Sequence, residues 1–149
     1  MKLRTLTLAI LVAGLAAAAR AQLAAPNAAG VSMGHLHLIV RDPDAPGGTF
    51  IHWVVYNIPP TKRSLAKSYT QAERAPNGTL QGLNDFERIG YGGPCPPGSH
   101  HAHRYIFTLY ALDTRLPDRP GYGAGELAST MDGHVLSQAA LLGTYQRLF

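Results

Sequence analysis

Cysteine is almost absent from this sequence of 149 residues, and charged residues make up only 15% of it. The one cysteine, Cys95, cannot form a disulfide within the chain. A domain of this length can bury enough apolar surface to fold without cross-links. We therefore expect one domain with a packed core, in which Cys95 is a small, partly buried thiol between two prolines.

The chain also lacks a large excess of positive charge when its first 21 residues are left out of the count. Lysine and arginine number 13 against 9 acidic residues. Three of the basic residues, Lys2, Arg4 and Arg20, lie in the first 21 positions, which leaves ten basic against nine acidic residues. Nucleic-acid binding needs a clustered basic face, so nucleic acid is not an expected partner.

Long hydrophobic runs are missing except for one, "LTLAILVAGLAAAA", which follows two basic residues and precedes the small residues of "ARAQ". This order is typical of a secretory signal peptide, and the run is short for a membrane span. The sequence predicts a signal peptide at 1–21, a linker at 22–34 and a domain at 35–149. The mature protein would then be periplasmic or secreted, without a transmembrane segment.

Familiar catalytic motifs are lacking as well. The sequence contains no HExxH, no paired cysteines and no GxSxG. These absences leave little support in the sequence for a metal site or for a hydrolase. One alternative is a metal-dependent hydrolase, in which histidines of "SHHAH" at 99–103 bind a metal with Asp42 or Asp85.

The remaining patterns predict a mainly β domain with C-terminal helices. Segments 35–41, 49–58 and 104–113 alternate or are rich in β-branched and aromatic residues, as strands are. Segment 62–89 is irregular, and should either wrap the surface near a site or hold a short helix near "LAKSYTQAE". Helical spacing marks the end of the chain, with Gly133 as a bend, at Leu127, Met131, Val135, Leu136, Ala139 and Leu142.

Histidines open two of the predicted strands directly after loops rich in proline and glycine. Strand alternation places His103 and Tyr105 on one face of their strand, and His52 on the face of Val54 in its own strand. If the strands are neighbours, both histidines converge with Asp42 of "DPDAP". Such a pocket suits an oxyanion, because imidazole donates hydrogen bonds and rigid loops form the site before binding.

Two segments, "DPDAPGGTFIHWVVYNIPP" and "QGLNDFERIGYGGPCPPGSHHAHRYIFTLYALD", resemble the phosphatidylethanolamine-binding protein (PEBP) family, specifically its bacterial Raf-kinase-inhibitor-like branch. The tail "DGHVLSQAALLGTYQR" is similar to what we take as the C-terminal helix of that branch. The resemblance implies a β-sandwich with a small anion pocket at one end. The positions that match the family's pocket are Asp42, Asp44, His52, Pro96, Pro97, His103 and Tyr105.

The resemblance also implies a function. Family members bind phosphorylated head groups or small anions, so a small phosphorylated or anionic ligand is the expected partner. They are not generally enzymes, so the resemblance implies a protein without catalytic activity, cofactor or metal. Some members inhibit kinases or a peptidase, which makes a surface-acting protein inhibitor the second alternative. The sequence departs from the family at its start, where similar proteins carry further strands before "DPDAP". We expect an N-terminally shortened fold with unpaired sheet edges and part of its core uncovered.

Overall fold

The computed structural model describes residues 34–98 and 101–148. It contains five strands and one helix. Their bounds are β1 His35–Asp42, β2 Phe50–Ile58, β3 Leu80–Gln81, β4 His103–Leu112, α1 Ala124–Met131 and β5 Val135–Tyr145. The mainly β prediction and the three predicted strands are confirmed, while the two-residue strand β3 gave no recognisable sequence signal.

All five strands form one antiparallel sheet in the order β3-β2-β1-β4-β5. Strand β1 lies at the centre, between β2 and β4. Its burial follows from its composition, because apolar side chains point to both faces and each face is covered. The central position of β1 sets β2 and β4 on either side of Asp42, at the end of the sheet where β1 finishes.

One face of the sheet is covered by helix α1 and the chain that leads into it. Gly123 precedes the helix, and Leu127 and Met131, four residues apart, face the sheet. The buried cluster on this side contains Ile39, Val54, Tyr56, Leu80, Leu112, Leu116, Tyr122, Leu127 and Met131. The predicted helix over Leu127 and Met131 is thus confirmed, and it ends before Gly133, which has a φ of +77°.

Within the part of the chain that the structure describes, the opposite face is covered by irregular chain instead of a second sheet or helix. The buried residues here are Val40, Trp53, Val55 and Ile58, against which Leu36, Leu38, Leu65, Tyr69, Tyr91 and Phe107 pack. The indole N–H of Trp53 donates to Oε1 of Gln81 at 2.7 Å, and the amide of Gln81 donates to the carbonyls of Thr70 and Ala72. This network ties the covering loop to the sheet.

Segment 62–89 wraps the surface, which was the first of the two expected arrangements. No helix forms near "LAKSYTQAE", where the chain makes turns and Ser68 adopts a φ of +64°. The segment reaches the end of the sheet, where Asn84 and Asp85 fix its course. Asp85 accepts a hydrogen bond from the Ile51 amide at 2.7 Å.

The prediction of a second helix at the end of the chain is wrong, because residues 135–145 form strand β5. Val135, Leu136, Ala139 and Leu142 fit a helical stripe, but a helix is stable only if it buries that stripe. Pairing with β4 instead satisfies backbone groups along the whole of β4, from Leu112 opposite Val135 to His103 opposite Tyr145.

The segments predicted for the start of the chain lie largely outside the described residues. The predicted signal peptide at 1–21 and nearly all of the linker at 22–34 lie outside the described residues. Gly34, the last residue of that linker, donates its amide hydrogen to the Leu112 carbonyl at 2.7 Å. Within residues 34–98 and 101–148, no helix has both the length and the apolar character needed to cross a membrane.

Candidate functional site

A register shift in the sheet determines the direction of His52. Val40 pairs with Trp53, but the next residue of β1, Arg41, pairs with Ile51, so β2 carries one extra residue at this point. Bulges of this kind turn a side chain away from the simple alternation of a strand. The His52 ring contacts Phe50 and Tyr105, with ring centroids 5.2 and 5.1 Å apart, so it does not share the face of Val54 as alternation predicts.

A cavity of about 190 Å³ lies at this end of the sheet. It is bounded by the ends of β1, β2 and β4, by the loop after β1, and by the proline-rich segment before β4. Its walls are formed by Asp42, Ala45, Pro46, Phe50, His52, Phe86, Cys95, Pro96, Pro97, His103 and Tyr105. Most of the lining is apolar or aromatic, with a small polar group at its base.

Asp42 and His103 form a buried pair at the base of the cavity. The Nδ1 of His103 lies 2.8 Å from Oδ2 of Asp42, and both side chains are almost entirely buried. The other carboxylate oxygen, Oδ1, accepts the backbone N–H of Asp44 at 2.8 Å. Since Nδ1 of His103 donates to the carboxylate, only Nε2 of that ring remains to meet a ligand.

His52 is held in the same way by a different acceptor. Its Nδ1 lies 2.8 Å from the carbonyl oxygen of Gly92, and the amide of Gly92 returns a hydrogen bond to the His52 carbonyl at 2.9 Å. A carbonyl can only accept, so Nδ1 carries the hydrogen. The ring is also wedged edge-on against Phe86 and Tyr105. Both cavity histidines therefore have a fixed tautomer with Nε2 as the remaining ring nitrogen.

Only 3% of the surface of Tyr105 is exposed, yet its buried hydroxyl lacks a hydrogen-bond partner among the described residues. Burial raises the pKa of Tyr105, and the nearby Asp42 carboxylate raises it further. The phenol is therefore neutral and able to donate, and it lies near Asp42 but outside hydrogen-bonding geometry. A buried donor without a partner is costly, so this hydroxyl is a natural contact for a bound ligand.

The structure brings six of the seven predicted site residues together, and the seventh lies apart. Asp44 does not line the cavity. Its carboxylate binds Arg104 on the outer surface, with Oδ2 accepting from Nε at 2.8 Å and Oδ1 from Nη2 at 2.7 Å. The guanidinium holds the pKa of Asp44 well below its usual range. Asp44 therefore acts on the cavity indirectly, by fixing the loop after β1 and donating its amide to Asp42.

Sequence reasoning missed the aromatic wall and the exposure of the thiol. Phe50 and Phe86 stack edge to face with centroids 4.7 Å apart and line the cavity beside His52. Phe86 comes from an irregular segment whose path no periodicity marks. Cys95 lines the cavity too but is exposed, which contradicts the expected partly buried thiol.

The metal-site alternative finds no geometric support in the part of the chain that the structure describes. Residues 34–98 and 101–148 contain no group of three histidine, cysteine or carboxylate side chains that could hold a metal ion. Two residues of "SHHAH", Ser99 and His100, lie outside the described residues. Asp85 is engaged with the Ile51 amide, and Asp42 with His103.

Comparison with known proteins assigns the family. The sequence pattern of the phosphatidylethanolamine-binding proteins matches residues 19–146. This chain belongs to that family. PEBP relatives in archaea include several named UPF0098 proteins. One from Methanothermobacter thermautotrophicus is 48% identical over 112 residues, which are 75% of this chain and 73% of that protein.

Solved PEBP structures share the fold. A homologue from Chlamydia trachomatis superposes with a TM-score of 0.68 at 42% identity, covering 77% of this chain and 73% of that one. YbcL of Escherichia coli superposes with a TM-score of 0.70 at 31% identity and the same coverage. The chain matches a smaller part of some relatives, such as 57% of a 50% identical protein from Pyrococcus horikoshii.

Proposed function

We propose that this protein is an exported binding protein without catalytic activity, whose cavity takes a phosphate-like anion or a phosphorylated head group. The observation that carries the proposal is the convergence of His52, His103 and Tyr105 on a single small cavity. Nδ1 of each histidine is already held by another group, and the tyrosine hydroxyl has no partner among the described residues. Three potential donors around one space match the several acceptor oxygens of a phosphate group.

The charge at the base of the cavity supports an anion only when the histidines are protonated. Asp42 is negative, but both of its oxygens already accept hydrogen bonds, from His103 and from the Asp44 amide. With His52 and His103 in the imidazolium form, both Nε2 atoms donate and the positive charge exceeds that of the single carboxylate.

The size and lining of the cavity favour a small group attached to something larger. A volume of about 190 Å³ is below the range of sites for drug-sized ligands, so only a compact group enters fully. The aromatic and proline walls would contact the carbon atoms next to such a group. The family name, which specifies a phospholipid with a phosphoethanolamine head group, is consistent with this chemistry.

The test is an amide NMR titration of the full chain with phosphoethanolamine and, separately, inorganic phosphate. We expect shifts confined to residues around the cavity in the wild type. The sharpest variant is His52→Asn, because the asparagine amide can still donate to the Gly92 carbonyl while the cavity loses Nε2. A matched control is His134→Asn, since His134 forms an exposed pair with Asp113 outside the cavity.

Loss of the shifts in His52→Asn, with the His134→Asn control unchanged and both variants folded, would support the proposal. A folded wild type that shows no shifts at millimolar ligand, at either pH 6 or pH 8, would refute it. Equal shifts in both variants would also refute it, because the ligand would then bind elsewhere.

The proposal of export rests on the order of charge, apolar run and small residues in 1–21. It is tested by expressing the full chain in a Gram-negative host and sequencing the N-terminus of the product in the periplasmic fraction. An N-terminus near Gln22 in that fraction would support export. An uncut chain in the cytoplasm would contradict it.

A further inference from the structure

A second cavity, of about 280 Å³, lies on the face of the sheet that irregular chain covers. It shares no lining residue with the cavity at the end of the sheet. Strand register builds its floor, because Trp53 and Phe107 both pair with Val40, from opposite sides of the central strand. Paired residues point to the same face of a sheet, so the two rings flank Val40 on this face.

The covering chain supplies two more aromatic rings. Tyr69 and Tyr91 contact the Trp53 ring, with centroids 5.6 and 5.4 Å from its own. Both tyrosines and Phe107 line the cavity and are only partly buried. The indole is fixed by its hydrogen bond to Gln81. Four aromatic side chains therefore border one space, and the position of the central ring is set before any ligand binds.

The polar groups that line this cavity can all donate hydrogen bonds. They belong to Lys67, Ser68, Tyr69 and Gln71. The hydroxyl of Tyr69 is buried and has no partner among the described residues. Lys67 is exposed and forms no ion pair with any residue that the structure describes. Its ammonium is also the only charge among the described residues that line the cavity.

We propose that this second cavity binds a small aromatic carboxylate, in which a planar ring carries a short acidic chain. The ring lies among the four aromatic side chains, where edge-on and offset contacts between rings are favourable. The carboxylate lies at Lys67, which supplies the opposite charge. This site does not depend on the anion proposed for the first cavity.

Size and charge both favour this class of ligand. An apolar cavity of about 150 Å³ can hold benzene, so a cavity of about 280 Å³ has room for a ring and a short chain. Aromatic rings also attract organic cations. A cation is disfavoured here because Lys67 would repel it and no acidic side chain of the described residues lines the cavity to offset that repulsion.

The fluorescence of Trp53 reports directly on this cavity, because the chain contains no other tryptophan. The test is a titration of the full chain with phenylacetate, with its neutral isostere phenylacetamide and with the cation phenethylamine. We expect a saturable change with phenylacetate at millimolar concentration or below, and several-fold weaker binding of the other two compounds. The absence of a saturable change with phenylacetate would overturn the proposal. Binding of either other compound as tightly as phenylacetate would overturn it too.

A pair of lysine variants tests the role of charge. Lys67→Gln should reduce the affinity for phenylacetate to that for phenylacetamide, and should leave phenylacetamide binding unchanged. Lys62→Gln is the matched control, since Lys62 is also exposed but does not line this cavity. Equal losses in the two variants would refute the assignment of the carboxylate to Lys67.

The position of the ligand is tested by filling the cavity. Ala66 is exposed and lines the cavity, so Ala66→Phe adds a ring there without enlarging a core side chain. This variant should weaken phenylacetate binding several-fold, and circular dichroism checks that it folds. Unchanged binding to the folded variant would place the ligand elsewhere and overturn the proposal.

Discussion

Acidification should destabilise this fold through His37, which lies on the central strand with no exposed surface. Its Nδ1 accepts the backbone N–H of Asn57 at 3.5 Å, and its Nε2 has no partner among the described residues. Burial, followed by the proximity of His35, lowers the pKa of His37 from 6.5 to about 4. A protonated ring would lose the Asn57 contact and place an uncompensated charge in the core.

The sign and size of the effect follow from proton linkage. Between pH 6.5 and about 4 the unfolded chain binds a proton at His37 that the folded chain does not, so stability falls as the pH falls through this window. Each pKa unit corresponds to about 1.4 kcal/mol, which gives a loss of about 3 kcal/mol from pH 7.5 to pH 4. This is a large part of the stability of a small domain.

Urea denaturation of wild type and His37→Asn at pH 7.5 and pH 4 isolates this contribution from that of the carboxylates. Asparagine can retain an acceptor for the Asn57 amide but does not titrate. The wild type should lose about 3 kcal/mol more than the variant over this range. Equal losses in the two proteins would refute the reasoning, because His37 would then carry the same proton in the folded and unfolded states.

Three further predictions concern two residues of the scaffold and one beside the cavity. Gly82→Ala should lower the free energy of unfolding in urea by about 1–3 kcal/mol, because the added Cβ would collide with the backbone carbonyl of Tyr122. Gly47→Ala is the control and should be neutral, because a Cβ there meets no atom within 4 Å. Gln81→Leu should lower the free energy of unfolding by about 1–3 kcal/mol for each hydrogen-bonding group left unpaired. Loss of the bond from the Trp53 indole should also shift the fluorescence of that tryptophan. Asp44→Ala should weaken phosphate binding less than loss of a cavity histidine does, measured by the same NMR titration; an equal loss would place Asp44 in direct contact with the ligand.

The strands could be predicted because their sequences contain a local signal. Residues 50–58 are β-branched and aromatic almost throughout, and no helix would bury both sides of such a segment. The C-terminal prediction failed for the opposite reason. The apolar residues of 135–145 fit the spacing of a helix as well as that of a strand. The segment forms a strand because the backbone groups of β4, which is distant in sequence, need a hydrogen-bonding partner.

The candidate site was predicted only in part for similar reasons. Asp42, His52 and His103 follow or open strands, so their convergence could be inferred from strand ends and from family resemblance. The position of Phe86 could not, because it depends on the path of an irregular segment fixed by Asn84 contacts. Asp44 lies in the matching motif, yet its side chain faces away because Arg104 is exposed beside it.

The extra residue in β2 has a consequence for engineering the cavity. Removing His52, the single residue between Ile51 and Trp53, would restore regular pairing with β1 but would take the imidazole out of the cavity. Length changes in the loop at 43–49 carry no such penalty, because they leave the pairing on either side intact. Ligand preference could therefore be altered through the length of that loop, whereas the number of residues in β2 must stay fixed.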